Sequence, residues 1–244
     1  LTLMSTQSLL VRPDNFLLEI DRVFIFVTEA RSPVSMLQNL GLHCSERVVR
    51  RAEQGTISTI FFFENTYLEL ICIEDENAAQ QDTARTGIDV LARARWPQTG
   101  ASPFGIGLRS LPEMTTQIPG SRKHWAEWMY PDAFIRFSPQ NIANAAEPIC
   151  LAVSSDIALT SWLDRSCQKH QQLITHPLGV KKLTSVKIAV DRDRELSEAV
   201  SLLDRNGVVA IERATSPMLE LTFDGGTKGE ILDARPILPL RLRY

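Results

Sequence analysis

Histidine and cysteine are scarce in this sequence, with four of each in 244 residues. The cysteines, Cys44, Cys72, Cys150 and Cys167, form no CxxC pair. Cys72 and Cys150 fall inside apolar runs, the pattern of buried free thiols in a reducing compartment rather than a disulfide framework. Cys167 and His170 stand three apart, but two ligands do not make a structural zinc site. No apolar run reaches 18 residues, so no helix long enough to span a membrane is expected. No basic stretch followed by an apolar segment opens the sequence, which gives no sign of a secretory signal. Neither charge dominates: 26 Lys and Arg stand against 29 Asp and Glu, for a net charge of −3. That balance argues against a nucleic-acid or membrane-surface partner. Walker loops, GxGxxG and GxSxG are all missing. A cytoplasmic protein is the expectation.

What is present is a patterned α+β chain. Residues 20–27 are apolar on both faces, with Arg22, Phe24 and Phe26 on one and Val23, Ile25 and Val27 on the other, as in a strand between two layers. Ser32 and Pro33 read as a helix start, Val34, Leu37 and Leu40 as its buried stripe, and Gly41 as its stop. A short polar strand over 46–51 and apolar strands over 57–63 and 67–73 complete a β-α-β-β-β unit. The same order recurs near the end of the chain: a strand over 183–190, a helix over 196–206 stopped by Gly207, then strands over 208–212 and 218–223 and from 230. A repeat of a whole unit constrains a fold more than any single propensity. Between the copies, 104–109 and 149–153 read as strands. Gly105 and Gly107 in the first allow close approach of another group. Helices are expected over 77–95 and 157–173. The divisions expected are a first module at 18–75, a bridging helix and degenerate middle module at 76–155, a linking segment at 156–182 and a last module at 183–244.

Asp21-Arg22-Val23-Phe24-Ile25, Gln54-Gly55-Thr56, Phe62-Phe63-Glu64-Asn65, Tyr67-Leu68-Glu69-Leu70 and His176-Pro177-Leu178-Gly179 form an ordered set. It resembles the glyoxalase-like proteins of the vicinal-oxygen-chelate superfamily. The resemblance implies repeated βαβββ modules whose curved mixed sheets surround a half-barrel pocket. In metal-dependent relatives a first-strand His and a fourth-strand Glu of each module bind a divalent cation there. Here Arg22 and Ser185 stand at the two His positions, while Glu69 and Glu230 stand at the acid positions. Arginine has no lone pair to donate, so no metal and no other cofactor is expected.

The candidate site is therefore Arg22 and Glu69 in catalytic or anchoring roles, with Tyr67, Phe24, Trp125, Trp128 and His124 against the ligand. Arg22 suits an anionic or carbonyl group, and Glu69 suits a partner to Arg22 or a general base. Aromatic walls with a few polar anchors are typical of small-molecule pockets. Three readings stay open: a metal-independent lyase, isomerase or hydrolase; a binding or sequestering module; and an interaction protein whose pocket has closed. A small-molecule ligand is the expected partner. A homodimer is expected from the unpaired third module, with Ile237-Leu238-Pro239-Leu240 in its contact.

Overall fold

The computed structural model describes residues 18–110, 122–124 and 135–244. Two sheets carry the fold. The first has eight strands in the order β2-β3-β4-β1-β5-β8-β7-β6. Its first half comes from β1 (Leu18–Val27), β2 (Val48–Arg51), β3 (Thr56–Phe62) and β4 (Tyr67–Ile73). Its second half comes from β5 (Phe104–Ser110), β6 (Arg122–His124), β7 (Ile135–Phe137) and β8 (Ile149–Val153). The two halves share one plan: the leading strand pairs parallel with the last, β1 with β4 and β5 with β8, and antiparallel neighbours follow. They join where β1 runs antiparallel to β5.

One face of this sheet is dry because β1, β4 and β5 alternate apolar residues toward it. Val23, Ile25, Leu68, Leu70, Ile106 and Leu108 lie in one buried cluster with Leu37 of α1 (Arg31–Asn39). The same cluster takes in the second sheet, in the order β10-β9-β11-β13-β12. Those strands are β9 (Leu183–Asp191), β10 (Ala210–Ala214), β11 (Met218–Phe223), β12 (Ile231–Asp233) and β13 (Leu240–Arg243). The other face of the first sheet is concave and carries the cavity described below.

The element order β-α-β-β-β does recur, but its pairing does not. In the first unit β1 neighbours β4, whereas β9 neighbours β10 and β11. The connection explains the difference. Residues 40–47 carry the chain from α1 across to the sheet edge. Only 206–209 separate α7 (Glu198–Arg205) from β10, which therefore returns directly beside β9. Ser185 accordingly faces Thr222, and Glu230 lies exposed just before β12, away from Glu69.

Three helix expectations need correction. The first helix is capped at Ala30, with the Glu29 carboxylate accepting from Ser32 N at 3.2 Å, so Ser32 lies inside it. The segment 77–95 breaks into α2 (Glu76–Thr86) and α3 (Val90–Ala94), because Gly87 at φ +80° ends the first and Asp89 caps the second; α4 (Trp96–Thr99) follows. The segment 157–173 is mostly turns. Asp164 takes the backbone N–H of Ser166 and interrupts the helix, leaving α6 (Gln168–Leu173) after the short α5 (Pro139–Ala143). Local side-chain bonds of this kind compete with the helical ladder.

Candidate functional site

The concave face is a grid that the pleat lays out. In one row stand Phe62 of β3, Tyr67 of β4, Arg22 of β1, Gly107 of β5 and Leu151 of β8. In the next stand Ile60, Glu69, Phe24, Gly105 and Ile149. All but the two glycines line a cavity of about 600 Å³, closed on one side by α2 and α3 and on another by Ile157 and Trp162. Phe24, Phe26, Ile71 and Ile149 pack against Ala79, Val90 and Ala94 at the first closure. Phe62 and Trp162 meet edge to face at the second.

Arg22 owes its position to an irregularity. Ile20 pairs with Leu108 and Arg22 with Gly107, so Asp21 is an extra residue in β1, a β-bulge. Bulges re-aim side chains beside functional sites. Asp21 is fully buried and its carboxylate is shared. Oδ2 accepts from Arg22 Nε at 3.1 Å and Nη2 at 2.9 Å, while Oδ1 accepts from Leu159 N at 2.7 Å and Arg109 Nη1 at 3.2 Å. Arg109 in turn donates to Glu19 and to the Asn65 carbonyl. The Arg22 guanidinium lies 4.9 Å from the Tyr67 ring centre, within cation–π range. Burial opposes its charge, but the Tyr67 oxygen, Asp21 and Glu69 outweigh burial and hold its pKa above the ordinary value.

Gly107 makes room for it. A Cβ there would fall 2.4 Å from Arg22 Cγ, and one at Gly105 would fall 1.9 Å from the Phe24 ring. Both side chains therefore lie flat across β5 in a berth that only glycine leaves open.

Glu69 is almost fully buried, and its ion-pair partner is Arg51, with Nη1 2.8 Å from Oε1. The same Nη1 donates to Ser58 Oγ at 2.8 Å, and it makes no directed hydrogen bond to Oε1. Burial pushes the carboxyl up, yet Arg51, Arg22 and Ser58 more than offset it, so its pKa lies below the usual carboxylate range. Burial also pushes the Tyr67 phenol up. The expected Arg22–Glu69 ion pair is not formed. The bulge supplies Arg22 with Asp21, and the sheet edge supplies Glu69 with Arg51.

Arg22, Phe24, Tyr67 and Glu69 thus line one cavity. Among the other sequence candidates, His124 lies on β6, whose backbone alone is described, and Trp125 and Trp128 lie outside the described residues. Sequence reasoning missed Asp21, Arg51, Phe62, Phe137 and Trp162. The polar strand β2 was the available signal for Arg51, since Val49, Arg50 and Arg51 on it and Arg47 just before it all reach the cavity. His176 belongs elsewhere. Its Nδ1 accepts from His43 N at 2.9 Å and its Nε2 meets the Phe62 carbonyl at 2.8 Å, a clasp in the core.

The residues do not fit the divalent cation of metal-dependent relatives. A guanidinium stands at the first-strand position, Gly107 opposite it has no side chain, and Glu69 is flanked by Arg51 and Arg22. Among the described residues no three His, Cys, Asp or Glu side chains gather as a ligand set. The cavity is instead rich in fixed cations. Arg22, Arg47, Arg50, Arg51 and Arg85 line it beside Glu53, Glu69 and Asp82, and Arg47 makes no ion pair with a described residue.

The family described as the glyoxalase-like domain matches residues 20–203. The chain belongs to that family, and its fold is the vicinal-oxygen-chelate type. A hypothetical protein from Staphylococcus aureus shares the fold at TM-score 0.54 and 12% identity, with 93% of this chain and 99% of that one covered. A methylmalonyl-CoA epimerase from Mycobacterium tuberculosis aligns at 15% identity over 62% of this chain and 93% of its own, with a TM-score of 0.36. No curated protein matches the chain in sequence. No helix among the described residues is long and apolar enough to cross a membrane.

Proposed function

We propose that the half-barrel cavity binds a small organic anion, without a metal, through the guanidinium of Arg22. The supporting observation is the way that side chain is held. Asp21 occupies its Nε and Nη2 edge, Gly107 lets its stem lie flat, and Nη1 makes no hydrogen bond with a described residue. An immobilised guanidinium with a free donor recognises a carboxylate at little entropic cost. The reading is of binding rather than turnover, because Arg22, Glu69 and Tyr67 are each held in one protonation state at neutral pH. A proton-transfer catalyst works best with a group that titrates near the operating pH.

A thermal-shift screen of small carboxylates and divalent metal salts tests the reading. A carboxylate at a hundred times its dissociation constant stabilises the native state by about 2.7 kcal/mol. That shift is expected from carboxylates with wild-type protein, and not with Arg22→Gln or from metal salts alone. Equal shifts in wild type and Arg22→Gln overturn it.

Two further expectations belong to the same proposal. The free cysteines, with Cys72 and Cys150 buried, support a cytoplasmic setting. For the homodimer, Leu238 and Leu240 are fully buried in the core, so the contact falls to Ile231 and Ile237, which are 48% and 43% exposed at the edge of the second sheet. Light scattering at micromolar concentration should give twice the chain mass; a one-chain mass removes the dimer.

A further inference from the structure

The two halves of the cavity differ in chemistry. The first-half strands bring Arg22, Arg51 and Glu69. Across from them β7 and β8 bring only Ile135, Phe137, Ile149 and Leu151 among the described lining residues. Between the halves runs β5, whose cavity-face positions are Gly105 and Gly107. No β5 side chain is among the described residues that line the cavity. The floor of the passage is the Phe24 ring and the methylene stem of Arg22, laid across those glycines. Such a stem is an apolar surface that ends in a charge. Strands lie about 4.8 Å apart, so β8 is roughly 10 Å from β1 and β7 roughly 14 Å.

We infer that the ligand is an amphipathic organic anion, with its acid group at Arg22 and an extended apolar body lying over Phe24 against Ile149 and Leu151. This deepens the anion-binding reading and rests on it. A small acid such as acetate would meet Arg22 but leave the opposite wall in water. A body that reaches β8 removes that wall from solvent, and each methylene it buries is worth about 0.8 kcal/mol, or about fourfold in affinity. The glycines are then specificity determinants. A side chain at either position would lift Phe24 or Arg22 off β5 and obstruct the passage.

The test is isothermal titration of the full chain with acetate, butanoate, hexanoate and octanoate, and with 1-octanol, at constant ionic strength. Affinity should rise at least threefold per added methylene from butanoate to octanoate, toward the fourfold limit of full burial. Octanol should bind at least tenfold more weakly than octanoate, since it lacks the charged hydrogen bond. Leu151→Gln, on a part-buried cavity residue, should weaken octanoate at least tenfold. A flat series, with acetate as tight as octanoate, overturns the amphipathic ligand and leaves the anion pocket standing. Octanol as tight as octanoate overturns the anion reading itself. No binding by any of the five overturns both.

Discussion

Removing the Arg51 guanidinium should strand the Glu69 carboxylate inside the sheet. Glu69 is 2% exposed, and its Oε1 faces Arg51 Nη1 at 2.8 Å as its only ion-pair partner among the described residues. Breaking a buried pair by deleting one member costs about 3–5 kcal/mol, because the survivor is left charged and desolvated; apolar replacement of both is close to neutral. Arg22 still lends some compensation, which puts Arg51→Met near the lower bound, about 3 kcal/mol. Glu69→Leu should cost less, about 1 kcal/mol, since the partly exposed Arg51 side chain can swing its charge to water. The double variant should cost at most about 1 kcal/mol, so the cycle yields a coupling of about 3–4 kcal/mol. Acid provides a second arm. In wild type the folded pKa of Glu69 lies below the unfolded value of about 4.3. Its contribution is therefore complete above that value and lost as pH falls through the folded pKa. In Arg51→Met burial dominates and raises the folded pKa, so the variant should regain stability relative to wild type as the solution is acidified. Urea denaturation followed by tryptophan fluorescence at two pH values measures both arms. Additive single effects under about 0.5 kcal/mol, with no pH dependence of the difference, would refute the reasoning.

Three other predictions use the same assay. Gly107→Ala places a Cβ 2.4 Å from Arg22 Cγ and should cost about 1–3 kcal/mol by overpacking; an unchanged midpoint contradicts the berth. The buried Glu147 carboxylate accepts from Asn141 Nδ2, Asn144 Nδ2 and Ser197 N, which ties the N-cap of α7 to the first sheet. Glu147→Gln turns an acceptor into a donor there and should cost about 1–3 kcal/mol, and a neutral effect would show the junction to be idle. Burial holds the His176 pKa below its ordinary value, so the unfolded chain binds more protons once pH drops below about 6.5. Stability should then fall by up to about 1.4 kcal/mol per pH unit until the folded value is passed, a slope that His176→Asn should lose.

Much of this cavity lining was legible through the resemblance, which set Arg22 and Glu69 at the first- and fourth-strand positions of one module. Phe24 and Phe26 followed from the period of two on the strand of Arg22, and Tyr67 from the same period on the strand of Glu69. Asp21 was not legible as the partner of Arg22: alternation puts neighbours on opposite faces, and only the bulge reunites them. Arg51 was hidden because a polar edge strand reads as solvent-facing, although one of its faces looks into the cavity. The glycines of β5 signalled close approach, but whether by backbone, side chain or ligand depended on the register with β1. The pairing of the second sheet was the largest miss. Element order carried over from the first unit, while the shorter connection after α7, present in the sequence, was the feature that decided which strand became the neighbour.

The central claim, an anion held by Arg22 in the half-barrel, is tested most directly by a crystal structure of the protein soaked with octanoate. The account predicts carboxylate density within hydrogen-bonding distance of Arg22 Nη1, roughly 2.7–3.2 Å, with the alkyl chain running toward Leu151. Density for octanoate elsewhere, with the cavity beside Arg22 holding only water, would contradict it.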